Sequence, residues 1–150
     1  MSAVTPIRPI RPMIEHMSIG VSDYSRSLAF YDGVLDPLGF VRVSSHDEPE
    51  GESACWGPPG EAPSPQGAPG AAPFWIQHCA AAITPPSGFH LCFMAPDRRA
   101  VDAFHAAGLR LGGSDAGGPG LRPHYGEGYY AAFLFDPDGW RIEAVTYTDA

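Results

Sequence analysis

Residues 16–35, HMSIGVSDYSRSLAFYDGVL, recur later in the chain as residues 90–109, HLCFMAPDRRAVDAFHAAGL. Each copy opens with a histidine in a short run whose apolar residues alternate, and a run with apolar residues at helical spacing follows. Internal similarity of this kind indicates two copies of one structural unit. We therefore predict that a strand and then a helix begin each half of the chain.

Further elements complete the first half. The helix is predicted to start after Ser22 or Asp23, either of which can cap it, and Pro37 and Gly39 are expected to end it. Residues 58–73 are almost all proline, glycine and alanine and predict a flexible loop, which is either a lid or an insertion. Period-two patterns predict the strands of this half: 13–21, 40–44, 53–56 and a last one from about 74.

The second half follows the same order. Residues 88–95 predict its first strand, and Asp97 is the expected cap of a helix that ends near Gly108. The segment 112–120, GGSDAGGPG, is expected to be a glycine-rich loop. Two closing strands are predicted on either side of the turn DPDG at 136–139: 129–135 and 141–147.

We assign the order β-α-β-β-β to each half because the halves are similar, although only three strands of the second half are located, and this order predicts an α+β fold made of two βαβββ modules. We expect the first module at residues 13–87 and the second at 88–150, together as one domain. Residues 1–12 lack the apolar core of a signal peptide and are expected to be a flexible tail.

Composition limits the possible functions. The 150 residues carry a net charge of −8, and all nine basic residues are arginine. Schiff-base enzymes and P-loops need lysine, and no basic stripe is present to bind nucleic acid. No apolar run approaches the roughly 18 residues of a membrane helix. Without a disulfide framework, Cys55, Cys79 and Cys92 are expected to be small buried hydrophobes in a cytoplasmic protein.

Alternation along three strands predicts a metal site. Residues i and i+2 of a strand face the same way, and the aliphatic faces should contact the helices. His16, His90 and Glu143 then share the opposite side, where pseudo-symmetry would bring the first strands of both halves together. Two imidazoles and one carboxylate suit one divalent ion, Fe²⁺, Mn²⁺, Zn²⁺, Ni²⁺ or Co²⁺, with open positions for a substrate that chelates through two oxygens.

Polar and aromatic side chains near the end of the chain are candidates for contact with a small-molecule substrate. Arg122 suits an anion, and Tyr125 is a candidate for substrate contact or proton transfer. His124 and Tyr129 are the candidate catalytic residues, and Arg141 either binds substrate or pairs with an acidic group. The alternative for this loop is a capping role with aromatic packing.

Together with the repeat, the segment FLFDPDGWRIEAV at 133–145 resembles the vicinal oxygen chelate superfamily. This group includes glyoxalases, fosfomycin- and bleomycin-resistance proteins and extradiol dioxygenases. The resemblance covers residues 13–147 and implies paired βαβββ modules around a cup-shaped mixed sheet, commonly in a homodimer. It places the metal positions of the family on His16, His90 and Glu143. It also implies a glyoxalase-like lyase, isomerase or dioxygenase acting on a small oxygenated metabolite, or alternatively a non-catalytic binding protein of the bleomycin-resistance type.

Two positions depart from the patterns of these relatives. Glyoxalases usually have a fourth ligand, a glutamate, on the last strand of the first half, where this chain offers Gln77 or His78. Extradiol dioxygenases tend to have a tyrosine where Phe133 stands. The sequence thus leaves open the reaction, the substrate and the native metal, and whether modules pair within one chain or across a dimer.

Overall fold

A computed structural model describes residues 13–48, 51–60 and 74–149. The predicted tail at 1–12 and most of the predicted loop at 58–73 lie outside these residues. The described part of the chain confirms the predicted order of strands and helices. The elements are β1 (Met17–Val21), α1 (Tyr24–Leu35), β2 (Val41–His46), β3 (Ser53–Gly57), β4 (Phe74–His78), β5 (Leu91–Met94), α2 (Arg98–Arg110), β6 (Ser114–Leu121), β7 (Tyr130–Phe135) and β8 (Arg141–Thr146).

Both helices begin at predicted caps. The side chains of Asp23 and Asp97 each accept a hydrogen bond from the backbone N–H three residues further on, which satisfies a donor that the helix itself leaves free. Helix α1 continues into a single 3₁₀ turn, Asp36–Leu38, and stops at Gly39, whose φ of 84° is left-handed. Neither helix is long and apolar enough to span a membrane, as far as the described residues show.

The strands of the described residues form two separate four-stranded mixed sheets. Their orders are β1-β4-β3-β2 and β5-β8-β7-β6, so the first strand of each module lies at a sheet edge. In the described ranges β1 pairs with β4 and β5 pairs with β8, so the predicted meeting of the two first strands does not occur as strand pairing within one chain. Instead, α1 packs against α2, and the modules meet through their helix-bearing sides.

One hydrophobic core joins the two modules. It takes Phe30 and Val34 from α1, Phe104 from α2, Ile76 from β4 and Leu134 from β7, all of them fully buried. Burying a side chain of this size stabilises the fold by roughly 1.5–3 kcal/mol. Because the core occupies the helix side of each sheet, the opposite faces, called the outer faces below, point away from it.

One predicted loop is a strand. Residues 112–120 were expected to be irregular because glycine weakens strands, yet Ser114–Leu121 forms β6, antiparallel to β7. Backbone hydrogen bonds to β7 stabilise this strand, and the composition of the segment does not indicate that such a partner is present. Register shifts on both sides of Gly117, which has a φ of 146°, accommodate the irregular stretch.

Candidate metal centre

A polar cluster lies on the outer face of the second sheet. It contains His90, just before β5, Tyr129, just before β7, and Glu143, within β8. Strands β5 and β8 are parallel neighbours whose register sets Cys92 opposite Glu143. Nε2 of His90 consequently lies 3.4 Å from Oε2 of Glu143. The structure thus brings together two of the three predicted metal ligands.

Tyr129 fixes the orientation of the Glu143 carboxylate. Its Oη donates a hydrogen bond of 2.5 Å to Oε1 of Glu143, whose residue exposure is only 1%. A buried carboxylate is costly unless it is hydrogen-bonded, so this contact stabilises Glu143 in place. Burial first, and then the hydrogen bond and charge of Glu143, raise the pKa of Tyr129 above its usual value. The phenol therefore stays protonated as a donor, and Oε2 is left facing His90.

The chemistry of this donor set fits a divalent metal ion. Imidazole nitrogen and carboxylate oxygen are common ligands of Zn²⁺ and of other first-row ions. Two such ligands, each about 2.0–2.2 Å from a tetrahedral ion, lie roughly 3.4 Å apart. The separation between His90 and Glu143 has this value. A hydrogen bond to a ligating carboxylate, like the one from Tyr129, is the usual support for such a site.

His16 does not join this pair within one chain. It lies just before β1, its side chain is 57% exposed, and its Nδ1 is hydrogen-bonded to the Glu15 carboxylate. Across the described ranges, no three histidine, cysteine, aspartate or glutamate side chains are grouped closely enough to hold a metal ion. The expected convergence of His16 with His90 and Glu143 therefore fails in a single chain, because the outer faces of the two sheets point away from their shared core.

The two candidates for a fourth ligand have different surroundings. Gln77 is exposed on β4, next to the buried Ile76, and therefore points to the outer face of the first sheet. His78 lies at the end of the same strand, where its Nδ1 is 3.2 Å from Oε2 of Glu52. Of the two, Gln77 is the one on the outer face.

A cavity of about 320 Å³ adjoins the polar cluster. Two predicted substrate-binding residues, Tyr125 and Arg141, contribute to its wall, whereas Arg122 and His124 do not. Arg122 donates to the carbonyl oxygen of Gly118 at 2.7 Å, and the exposed ring of His124 packs on Tyr125 with centroids 4.2 Å apart. The residues that line the cavity are His90, Tyr125, Tyr129, Phe133, Arg141 and Glu143.

Two residues of this face were not among the predicted site residues. Phe133, a cavity wall, has the guanidinium of Arg141 4.7 Å and that of Arg122 5.8 Å from its ring centroid. Cys92 is exposed, so its expected role as a buried hydrophobe is wrong, whereas Cys55 is buried as expected. Partial burial of the sulfur, followed by the charge of Glu143, raises the pKa of Cys92 to about 12. Strand alternation, which relates Cys92 to His90, is the signal that could have found it.

Comparison with known proteins agrees with this architecture. The model of the Glyoxalase/Bleomycin resistance protein/Dioxygenase superfamily matches residues 13–144. A glyoxalase/bleomycin resistance protein from Albidiferax ferrireducens T118 is 31% identical with a TM-score of 0.67, and the match covers 89% of this chain and 98% of that one. No curated protein matches the sequence.

More distant structures share the fold alone. A glyoxalase/bleomycin resistance protein/dioxygenase family enzyme from Burkholderia phytofirmans PsJN is 18% identical, with a TM-score of 0.62 over 89% of this chain and 98% of that chain. Glyoxalase I from Zea mays is 23% identical with a TM-score of 0.62, and the match covers 90% of this chain but 46% of the maize chain. The fold and the family match confirm the resemblance seen in the sequence, and the chain belongs to the Glyoxalase/Bleomycin resistance protein/Dioxygenase superfamily.

Proposed function

We propose that this protein is a metal-dependent, glyoxalase-like enzyme whose active site is completed when two copies associate. The observation that carries the proposal is the 3.4 Å separation between His90 and Glu143, held by Tyr129, with the third predicted ligand on the other sheet. In the proposed site, His16 of one copy joins His90 and Glu143 of a second copy around one divalent ion. The substrate is a small oxygenated metabolite that chelates this ion.

The open edges of the sheets support a homodimer. β1 and β5 each end a sheet, and edge strands present unpaired backbone groups that favour pairing with another chain. His16 and His90 immediately precede these two strands. A two-fold axis that places β1 of each copy beside β5 of the other brings the two histidines together and creates two equivalent sites. We propose that this dimer is cytoplasmic.

The residues of the chain have separate tasks in this proposal. A bound divalent ion supplies Lewis-acid chemistry to the chelating oxygens of the substrate. Tyr129 orients Glu143, and Tyr125, whose ring centroid lies 5.4 Å from that of Tyr129, is placed at the cavity wall to move a proton. His124, whose exposed ring packs on that of Tyr125, is a second candidate for proton transfer. Gln77 does not replace these groups as a base, because an amide accepts no proton at neutral pH.

Metal analysis tests the proposal. Protein purified without chelator should contain about one divalent ion per chain, as one site for each His90–Glu143 pair requires. His90→Ala and Glu143→Gln should lose most of it. His46→Ala is the matched control, because His46 is an exposed histidine of β2 and should leave the content unchanged. Unaltered metal in the His90→Ala protein would contradict the site.

Turnover distinguishes an enzyme from a binding protein. The metal-loaded protein should be screened with the methylglyoxal hemithioacetal, for isomerase or lyase chemistry, and with catechols, for ring cleavage by dioxygen. Conversion of either by the wild type, with loss in Glu143→Gln, supports the enzyme. Metal-dependent binding without conversion would instead favour the non-catalytic, bleomycin-resistance type of function.

A further inference from the structure

We infer that the substrate carries an anionic group, separate from its chelating oxygens, and that the guanidinium of Arg141 binds this group. The inference rests on the proposed function, because it places the chelating oxygens at His90 and Glu143. It goes further by naming the chemical class of the substrate, a small molecule with a chelating head and a carboxylate or phosphate tail.

Arg141 has no anionic partner in the part of the chain that the structure describes. Within the described ranges, its guanidinium makes no ion pair or hydrogen bond with the protein, and its contact is with the Phe133 ring at 4.7 Å from the centroid. Arg26, Arg42 and Arg98, in contrast, pair with aspartates. In a chain of net charge −8, an arginine without such a pair on a cavity wall is positioned for an anion from solution.

The surroundings hold Arg141 in position. The face of the Phe133 ring attracts the cation, and the ring itself is 6% exposed and therefore fixed by its neighbours. Arg122 contacts the same ring but donates to the backbone oxygens of Gly118 and Leu121, which use its N–H groups. Of the two arginines that contact this ring, Arg141 is therefore the one whose N–H donors are left for a ligand.

The position of Arg141 sets the distance between the chelating head of the ligand and its anionic group. Arg141 and Glu143 lie two residues apart on one face of β8, so their Cα atoms are separated by about 7 Å. Arg141 also lines a second cavity, of about 280 Å³, whose wall includes Pro85, Phe89 and Phe135. A ligand whose head lies at His90 and Glu143 therefore passes Arg141 as it extends toward the second cavity.

The charge of Arg141 also selects among ligands. A guanidinium matches carboxylate and phosphate oxygens through paired N–H donors. A cationic ligand would be repelled by Arg141, and a neutral ligand would leave the guanidinium without a partner. This cavity therefore favours anionic ligands over cationic and neutral ones.

Three catechols that differ only in the tail test this inference. Isothermal titration calorimetry of the Zn²⁺-loaded protein should show 3,4-dihydroxybenzoate or (3,4-dihydroxyphenyl)phosphonate binding at least about tenfold more tightly than neutral 3,4-dihydroxybenzamide. The tighter of the two anions identifies the tail. Arg141→Ala should weaken the anionic probes by roughly tenfold to a hundredfold and leave the amide unchanged, with Arg141→Lys intermediate.

Controls separate this inference from the metal site. Arg99→Ala, which removes an exposed arginine of α2, should bind all three probes like the wild type, and the metal content of Arg141→Ala should be normal. If the wild type holds no metal, the proposed function fails, and the same titrations on the metal-free protein still report any preference for anions. Equal affinities for the benzoate, the phosphonate and the amide, no binding of any probe, or full anion binding by Arg141→Ala overturns the inference.

Discussion

Tyr31 in helix α1 donates a buried hydrogen bond of 2.7 Å to Oδ2 of Asp136, in the turn between β7 and β8. This contact ties the helix of the first module to the turn that precedes the strand of Glu143. Tyr31→Phe removes the donor and leaves a buried carboxylate oxygen unsatisfied, so the free energy of unfolding should fall by roughly 1–3 kcal/mol in urea titrations. Tyr147→Phe, at an exposed tyrosine, should change it little. Equal stabilities of the two variants would contradict the role of the contact.

Asp136 predicts how stability depends on pH. Burial is the main reason that its pKa lies above the usual value, although hydrogen bonds from Tyr31 and the backbone oppose the shift. A raised carboxyl pKa means that the folded state favours the protonated form. Its contribution to stability is therefore full below about pH 4 and is lost as the pH rises through the raised pKa.

Comparison with Asp136→Asn isolates this contribution, because the amide does not titrate. Urea unfolding at a series of pH values should show the wild type losing stability relative to the variant as the pH rises above about 4. A wild type that gains stability relative to Asp136→Asn over this range would show that the pKa of Asp136 is lowered instead.

Two helical glycines predict opposite results for one substitution. A Cβ at Gly108 would lie 2.2 Å from Cδ1 of Leu134, and one at Gly33 would lie 2.2 Å from Cδ1 of Leu111. Leu134 is fully buried and cannot move, so Gly108→Ala should cost roughly 1–3 kcal/mol of overpacking, more than the about 1 kcal/mol gained in helix propensity. Leu111 is only partly buried and can rotate away, so Gly33→Ala should be neutral or stabilising. Thermal unfolding should therefore show a lower melting temperature for Gly108→Ala than for Gly33→Ala. A Gly108→Ala protein that is the more stable of the two would contradict this prediction.

The hydrogen bond between Tyr129 and Glu143 should control metal affinity. Tyr129→Phe leaves the Glu143 carboxylate without its donor, and the affinity for Zn²⁺ should fall by about 10–100-fold in competition with a coloured chelator. Tyr130→Phe is the matched control, because this neighbouring residue bonds to Asp102 of α2 instead. Equal affinities in the two variants would show that Tyr129 does not support the metal site.

Much of the fold was predictable because its signals are local. Helix caps such as Asp23 and Asp97, and alternation such as that along β8, depend on residues close in sequence. The repeat also shows the strand-to-helix pattern twice, which strengthens the prediction. Strand β6 was not predicted, because glycine disfavours strands and the stability of this strand comes from its pairing with β7. A partner of that kind cannot be read from the segment itself.

The candidate site was predictable only in part, for a related reason. Alternation placed His90 and Glu143 on one face, and the structure shows them side by side. The position of His16 depends on which sides of the modules meet, and that is decided by the packing of α1 on α2. The close approach of Gly33 in α1 to Leu111 at the end of α2 contributes to this packing and leaves no periodic trace in the sequence.

The claim that two copies share each site is tested most directly by complementation. A His16→Ala chain and a His90→Ala chain carrying different affinity tags are co-expressed, and the mixed dimer is isolated through both tags. In that dimer, one of the two shared sites keeps every ligand, so its metal content should be about half that of the wild type, while each variant alone binds almost none.

The reciprocal pair is the control. This control is a mixed dimer of one wild-type chain and one chain that carries both His16→Ala and His90→Ala. If the sites are shared between chains, neither site of this dimer is complete and it should bind almost no metal. If each site lay within one chain, the same dimer would keep half of the wild-type metal content. The decisive measurement is therefore the metal content of the two mixed dimers. The account predicts about half the wild-type content in the first and nearly none in the second, and the reverse order would contradict it.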